Sequence, residues 1–196
     1  MGIEINLFNI NHYLAKIGKG KCLISEPFSP DSYFGRSVVL ITEHSENEGT
    51  LGYILNKPID VPIHELFPDF PTFNAPCFVG GPVNPETIHY LHTRIDLLPE
   101  STPVTNGIYW GGDFDLLKEH IQNGMIRPSE IRFYLGYSGW APQQLQQEID
   151  DKFWIVSPIS STKIMHANQN TWKELLNEMG DSYSIWANAP TNPGMN

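Results

Sequence analysis

The stretch with the most chemistry in it is Gly136-Tyr137-Ser138-Gly139-Trp140. A serine set among glycines after a strand-like run invites comparison with the G-x-S-x-G nucleophile elbow, whose serine sits on a strained turn above a sheet. Here Trp140 stands where the second glycine belongs, so the match is incomplete. A triad also needs a histidine and an acid brought close in space. Asp150, Asp151 and His166 follow Ser138 in the order that α/β-hydrolases use. A serine-dependent, esterase-like hydrolase with Ser138 as nucleophile is therefore one reading, and a structural turn is the plainer one.

The same residues support a milder chemistry. Exposed N–H groups at a helix start attract anions, and Pro142 suits a first helical position because its φ is preset and its missing N–H is not needed there. Ser138, Gly139 and Trp140, just ahead of that helix, are candidate ligand-binding residues. Gly80 and Gly81, in Gly80-Gly81-Pro82, could supply a second backbone surface. Arg36 is an isolated cation that could meet a core acid or a ligand anion.

Metal chemistry finds little support. His89 and His92 are three apart, which on a strand sends them to opposite faces. His44 and His64 have no patterned carboxylate partner, and no H-x-x-x-H or Cys–His set occurs, so neither a metal nor another cofactor is called for. Asp113 and Asp115 read as a helix cap and a dipole partner. Tyr109, Trp110, Tyr134, Tyr137 and Trp140 read as core rather than as a base-stacking platform.

These residues need a scaffold to position them. Ile131, Phe133 and Leu135 alternate with Arg132 and Tyr134, which is a strand rhythm. The glycines then predict a tight turn over residues 136–140, and Leu145 and Ile149 give a following helix its buried stripe. Elsewhere the patterning predicts a helix over residues 6–17, strands at 22–25, 37–44, 51–56, 77–79 and 88–93, and a hairpin within 102–110 turning at Asn106-Gly107. One or two helical turns are expected at 63–67, and a helix opens after the N-cap Asp113. A strand follows at 153–157. A Thr171/Glu174 capping box then starts a last helix, which Gly180 stops.

In their order along the chain, several segments resemble the AlgH/YqgE family of bacterial proteins over about residues 18–158. They are LISEPFSPDSYFGRSVVLITEH, GTLGYILNKP, FVGGPV, IHYLH, YWGGDF, FYLGYSGWAPQQLQQEI and FWIV. Ala141 and Gln143 stand where the family more usually has glycine. The resemblance implies an α/β (α+β) fold with a mixed, strongly bent sheet approaching a pseudo-barrel and flanking helices. It also implies a cytoplasmic protein. It brings no reaction with it, since the family is essentially uncharacterised, although some members carry a transcriptional-regulator label.

Composition narrows the classes. With 40% hydrophobic and 17% charged residues over 196, one domain with a real core is expected, closed by a helical extension at 159–180 and a frayed tail at 187–196. Twelve basic against 22 acidic residues, net −10, argue against nucleic acid and anionic membranes as partners. Two lone cysteines suit a reducing compartment, and no leader or long apolar run is evident. The leading expectation is a non-enzymatic protein that binds a small ligand, an anion or a protein partner, with a regulatory role left open. An esterase-like hydrolase and a transcriptional regulator are the alternatives.

Overall fold

A computed structural model describes residues 10–29 and 31–190. Among the described residues, ten strands form one mixed sheet, with β1 at Lys21–Ser25, β2 at Val38–Ser45, β3 at Gly49–Ile54, β4 at Pro58–Ile59 and β5 at Cys77–Val79. β6 at Val83–His92, β7 at Thr102–Thr105, β8 at Ile108–Trp110, β9 at Ile131–Trp140 and β10 at Trp154–Pro158 complete it. The helices are α1 (Ile63–Leu66), α2 (Phe114–Gln122), α3 (Gln144–Asp150), α4 (Ser161–Met165), α5 (Thr171–Glu178) and α6 (Asp181–Ala187). The strand order is β10-β1-β2-β3-β9-β6-β8-β7, antiparallel throughout, with β5 added parallel to β9 and β4 beside β5.

The sheet is bent around β9. Its first half, Ile131 to Leu135, pairs with β6 while residues 133–135 also pair with β5; its last three residues pair with β3. Gly136, at φ 65°, separates the halves. An L-residue is strained at that angle and glycine is not. The kink inserts one residue into the alternation, so that Tyr134 and Tyr137 both face the inner core while Leu135 faces outward. The far edge curls back: a Cβ on Gly20 would lie 2.9 Å from both Cβ of Thr105 and the Val104 carbonyl oxygen. The sheet stays open, with β7 and β10 the ends of its ladder.

Three cores follow from the bend. The inner face buries Cys22, Leu40, Tyr53, Leu91 and Tyr134, and α4 to α6 pack against it through Ile164, Trp172, Leu176 and Trp186. On the outer face of one half, Leu145 and Ile149 of α3 meet Val39, Ile41 and Ile54. Burying each of these α3 side chains contributes about 1.5–3 kcal/mol. On the other half, Ile63 of α1 and Leu117 and Ile121 of α2 cover Ile131 and Phe133. Asp113 caps α2 as its sequence predicts, accepting from the N–H groups of Asp115 and Leu116, each at 2.9 Å.

Several local expectations are corrected. Residues 10–17 form no helix: Tyr13 bridges Val156 of β10 instead, and residues 6–9 of the expected helix lie outside the described residues. No turn breaks the chain at 136–140, because Ser138, Gly139 and Trp140 find strand partners in Gly52, Leu51 and Thr50. Pro142 is not the first helical residue. It lies in a turn closed by the Gln144 N–H donating to the Ala141 carbonyl at 3.1 Å, with Gln143 left-handed at φ 66°, a type II form. Thr171 does not cap α5: it is the helix's first residue, and its hydroxyl accepts from the Asn168 N–H. The C-terminal part carries α4 and α6 as well as the expected helix. Ala187 ends α6, and residues 191–196 lie outside the described residues.

Candidate functional site

The two glycine segments do meet, but as packed backbone. The Ser138 hydroxyl donates to the Gly80 carbonyl at 3.0 Å, and the Gly80 N–H donates to the Leu135 carbonyl at 2.8 Å. A Cβ on Gly80 would fall 2.2 Å from the Gly136 carbonyl oxygen, and one on Gly81 would fall 2.3 Å from the Tyr137 carbonyl. Such close approach is open only to glycine. It leaves no space between the segments, and the helix-start cradle expected at Ser138 and Gly139 is strand.

Ser138 is fully buried, with its proton committed to Gly80. His166 binds its own helix through Thr162, and Asp150 accepts from Tyr13. Serine, acid and histidine of the hydrolase reading are therefore not assembled. A serine–histidine contact does exist elsewhere: His92 Nε2 lies 2.8 Å from Ser101 Oγ and 3.1 Å from the Gly111 carbonyl. His92 Nδ1 accepts from the Arg94 N–H at 3.1 Å, which places the ring proton on Nε2. That nitrogen donates and cannot take a proton from Ser101, so the pair is structural. Burial, only partly offset by the Gly111 carbonyl and Asp96, pushes the His92 pKa down to about 4.

Two arginines also serve the fold. Arg36, a candidate for a ligand anion, donates to the Ala189 carbonyl at 2.7 Å and lies over the Trp172 ring. Arg132 sits deep in the inner core and donates to the Leu55 and Met165 carbonyls and to the Tyr134 hydroxyl. Its guanidinium carbon lies 3.9 Å from the Phe78 ring centroid. The strand rhythm puts Arg132 on one face with Tyr134, and in the fold that face is the inner one. Arg132 ties β9 to α4 and to the residue just after β3.

One candidate, Gly139, reaches open space, and Trp140 beside it is buried. They border a groove of about 650 Å³ between the β2–β3 hairpin and the end of β9. Trp140 is held from behind, its indole N–H donating to Glu148 at 2.8 Å alongside that of Trp154. Tyr137 forms a wall, and Lys19, Glu43, His44 and Glu48 supply polar groups. A bulge between Ile41 and Glu43 sets Glu43 opposite Leu51, on the face Tyr137 occupies. His44 Nδ1 is tied to Thr50 Oγ1 at 2.8 Å. The Tyr53 hydroxyl is buried in the inner core, where its ring lies beside Trp110. Burial raises its pKa far above the ordinary value, with Glu43 adding to the shift. No group of three or more His, Cys, Asp or Glu side chains among the described residues is placed to hold a metal.

With this geometry in hand, comparison with known proteins is direct. A family profile described as AlgH-like matches residues 22–184. The chain belongs to the AlgH-like family. The match runs from β1 through α4 and α5 into α6. Among AlgH-like relatives, a UPF0301 protein of Bacteroides fragilis is 40% identical over 198 residues, covering 100% of both chains. One from Chlorobaculum parvum is 39% identical over 90% of this chain and 95% of its own. A crystal structure of a Corynebacterium diphtheriae protein shares the fold at TM-score 0.74 and 22% identity, over 93% of this chain and 100% of that one. The solution structure of Pseudomonas aeruginosa AlgH does so at TM-score 0.69 and 21% identity, over 91% and 98%. No helix among the described residues is long and apolar enough to cross a membrane.

Proposed function

We propose that this AlgH-like chain is a binding protein whose ligand is a small molecule carrying both charge signs, such as an amino acid or dipeptide, seated beside Gly139. Gly139 carries the reading. Glycine inside a strand costs about 0.5–1 kcal/mol relative to alanine and is kept where the backbone needs it or where something approaches closely. Gly80, Gly81 and Gly136 have backbone reasons. Gly139 has none: its φ is not left-handed, and an added Cβ would meet Tyr137 ring atoms at 3.4 Å and 3.9 Å and a Val83 methyl at 3.9 Å. Its missing side chain keeps the groove floor open.

The charges facing that floor agree. No ion pair among the described residues uses Lys19, Glu43 or Glu48, so an ammonium and two carboxylates are left to the groove. Tyr137 offers a flat face for an apolar part. A purely anionic ligand is disfavoured by the two carboxylates, and the net charge of −10 gives direct DNA contact no support. A thermal-shift panel of free amino acids and dipeptides tests the reading, because a ligand that binds only the folded state raises the melting temperature. At least one probe is expected to raise Tm in the native chain and to lose that effect in Glu43→Gln. A panel without any shift refutes the ligand class.

A further inference from the structure

A smaller cavity, of about 330 Å³, lies beside Trp140 between α3, the start of β10 and the loop that leads into β2. Phe34, Trp140, Phe153 and Trp154 supply its aromatic walls, and Glu148 of α3 and Asp31 supply carboxylates. We infer that this cavity binds a quaternary ammonium head group, the trimethylammonium of a choline-like molecule or of a methylated lysine.

The rings and the carboxylate are held as one unit. Trp154 stands nearly perpendicular to Phe34, at 78°, and to Trp140, at 81°, with ring centroids 5.3 Å and 5.9 Å away. Both indole N–H groups donate to the same Glu148 oxygen, Oε2, each at 2.8 Å. The Gln144 amide donates to the other oxygen, Oε1, at 2.9 Å. Phe34 is set by Asp31, whose carboxylate accepts from the Phe34 N–H at 3.0 Å. These bonds fix the walls before a ligand arrives, which lowers the ordering cost of binding.

Charge and hydrogen bonding select the cation. No ion pair among the described residues uses Glu148. Lys57 already feels the charge of Asp31, so the argument rests on Glu148. The cations found over rings among the described residues, Arg36, Lys118 and Arg132, lie over Trp172, Phe114 and Phe78 and leave these walls to a ligand. A carboxylate offers about four lone-pair sites, and three donors already reach Glu148. Little acceptor capacity remains for an ammonium or guanidinium, whose N–H groups need partners once water is gone. A quaternary ammonium has no N–H to satisfy and is drawn by the charge and the ring faces alone. Phe153 lines the cavity while 45% exposed, a large ring that a bound head group would cover. The volume lies at the lower end of the range for ligand pockets, which suits a head group.

Choline is the probe, read on the full chain through the indole N–H signals of Trp140 and Trp154 in nitrogen-labelled protein. Choline should shift both signals saturably. Its neutral isostere, with a tert-butyl group in place of trimethylammonium, should bind at least about tenfold more weakly. Glu148→Gln should abolish the saturable shift, and Phe153→Ala, at an exposed ring, should weaken choline about threefold. If Glu148→Gln does not fold, Phe153→Ala decides. Glu43→Gln should leave choline binding unchanged, which separates this site from the groove beside Gly139. A trimethyllysine amide presents the same head group, and the tighter of the two probes tells a methylated protein from a free metabolite. The proposal is overturned by an absence of saturable shifts, by equal binding of the isostere, or by choline binding that Glu148→Gln and Phe153→Ala leave intact. Loss of choline binding in Glu43→Gln also overturns it, moving the cation to the other groove.

Discussion

Protonating His92 should destabilise this protein over a defined pH range. The ring is fully buried, and the fold holds its pKa at about 4 against an ordinary 6.5. Because the folded value lies below the unfolded one, the neutral ring stabilises the fold. That contribution is complete above pH 6.5 and is lost as pH falls toward 4. At about 1.4 kcal/mol per pH unit, the gap between the two values amounts to about 3 kcal/mol, a large share of a typical domain's stability. His12 and His89 are also lowered by burial and add to the loss with the same sign. The His92 share is therefore read by difference. His92→Gln keeps an N–H that can donate toward the Gly111 carbonyl but does not titrate. Urea unfolding followed by tryptophan fluorescence at pH 7.5, 6.5, 5.5 and 4.5 should show the variant weaker at pH 7.5. Its stability should then fall less steeply with acid, by up to about 1.4 kcal/mol per pH unit. Parallel curves for the two proteins would refute the assignment of His92 as a neutral donor.

Other substitutions follow from the backbone. Gln143→Gly relieves a left-handed non-glycine residue and should raise the urea-unfolding free energy by about 1 kcal/mol; a loss would show that the Gln143 side chain matters more than its φ. Gly80→Ala forces a Cβ to 2.2 Å from the Gly136 carbonyl oxygen and should cost more than about 3 kcal/mol or abolish soluble expression. A stable Gly80→Ala protein would contradict the packed junction. Ser138→Ala removes one buried hydrogen bond, should lower stability by about 1 kcal/mol, and should leave fluorophosphonate labelling as absent as in the native chain. Labelling that depends on Ser138 would restore the hydrolase reading.

Much of the scaffold could be read from periodicity and punctuation. Val38 to Thr42 announce a buried strand, Asn106-Gly107 a hairpin, and Asp113 a helix start, because each rests on local chemistry that the fold respects. The end of β9 could not be read that way. Gly136 to Gly139 look like a turn from their composition, yet strand pairing with β3 keeps them extended, and a single left-handed glycine supplies the bend instead. Arg132 shows the same limit: alternation puts it on one face with Tyr134, but only the folded sheet shows that its guanidinium meets the Leu55 and Met165 carbonyls. At the candidate site, Gly139 and Trp140 were visible as residues of interest. Lys19, Glu43 and Glu48 were not, because they come from separate segments that only the bulge in β2 and the bend of the sheet bring to one groove.

The most direct test of the central claim is Gly139→Val in the thermal-shift and urea assays. A valine Cβ fits beside Tyr137, its methyls project into the groove, and a β-branched residue suits a strand. The account predicts a chain as stable as the native one or more so by about 0.5–1 kcal/mol, with every ligand-induced Tm shift abolished. A Gly139→Val protein that still responds fully to the same ligand would contradict it.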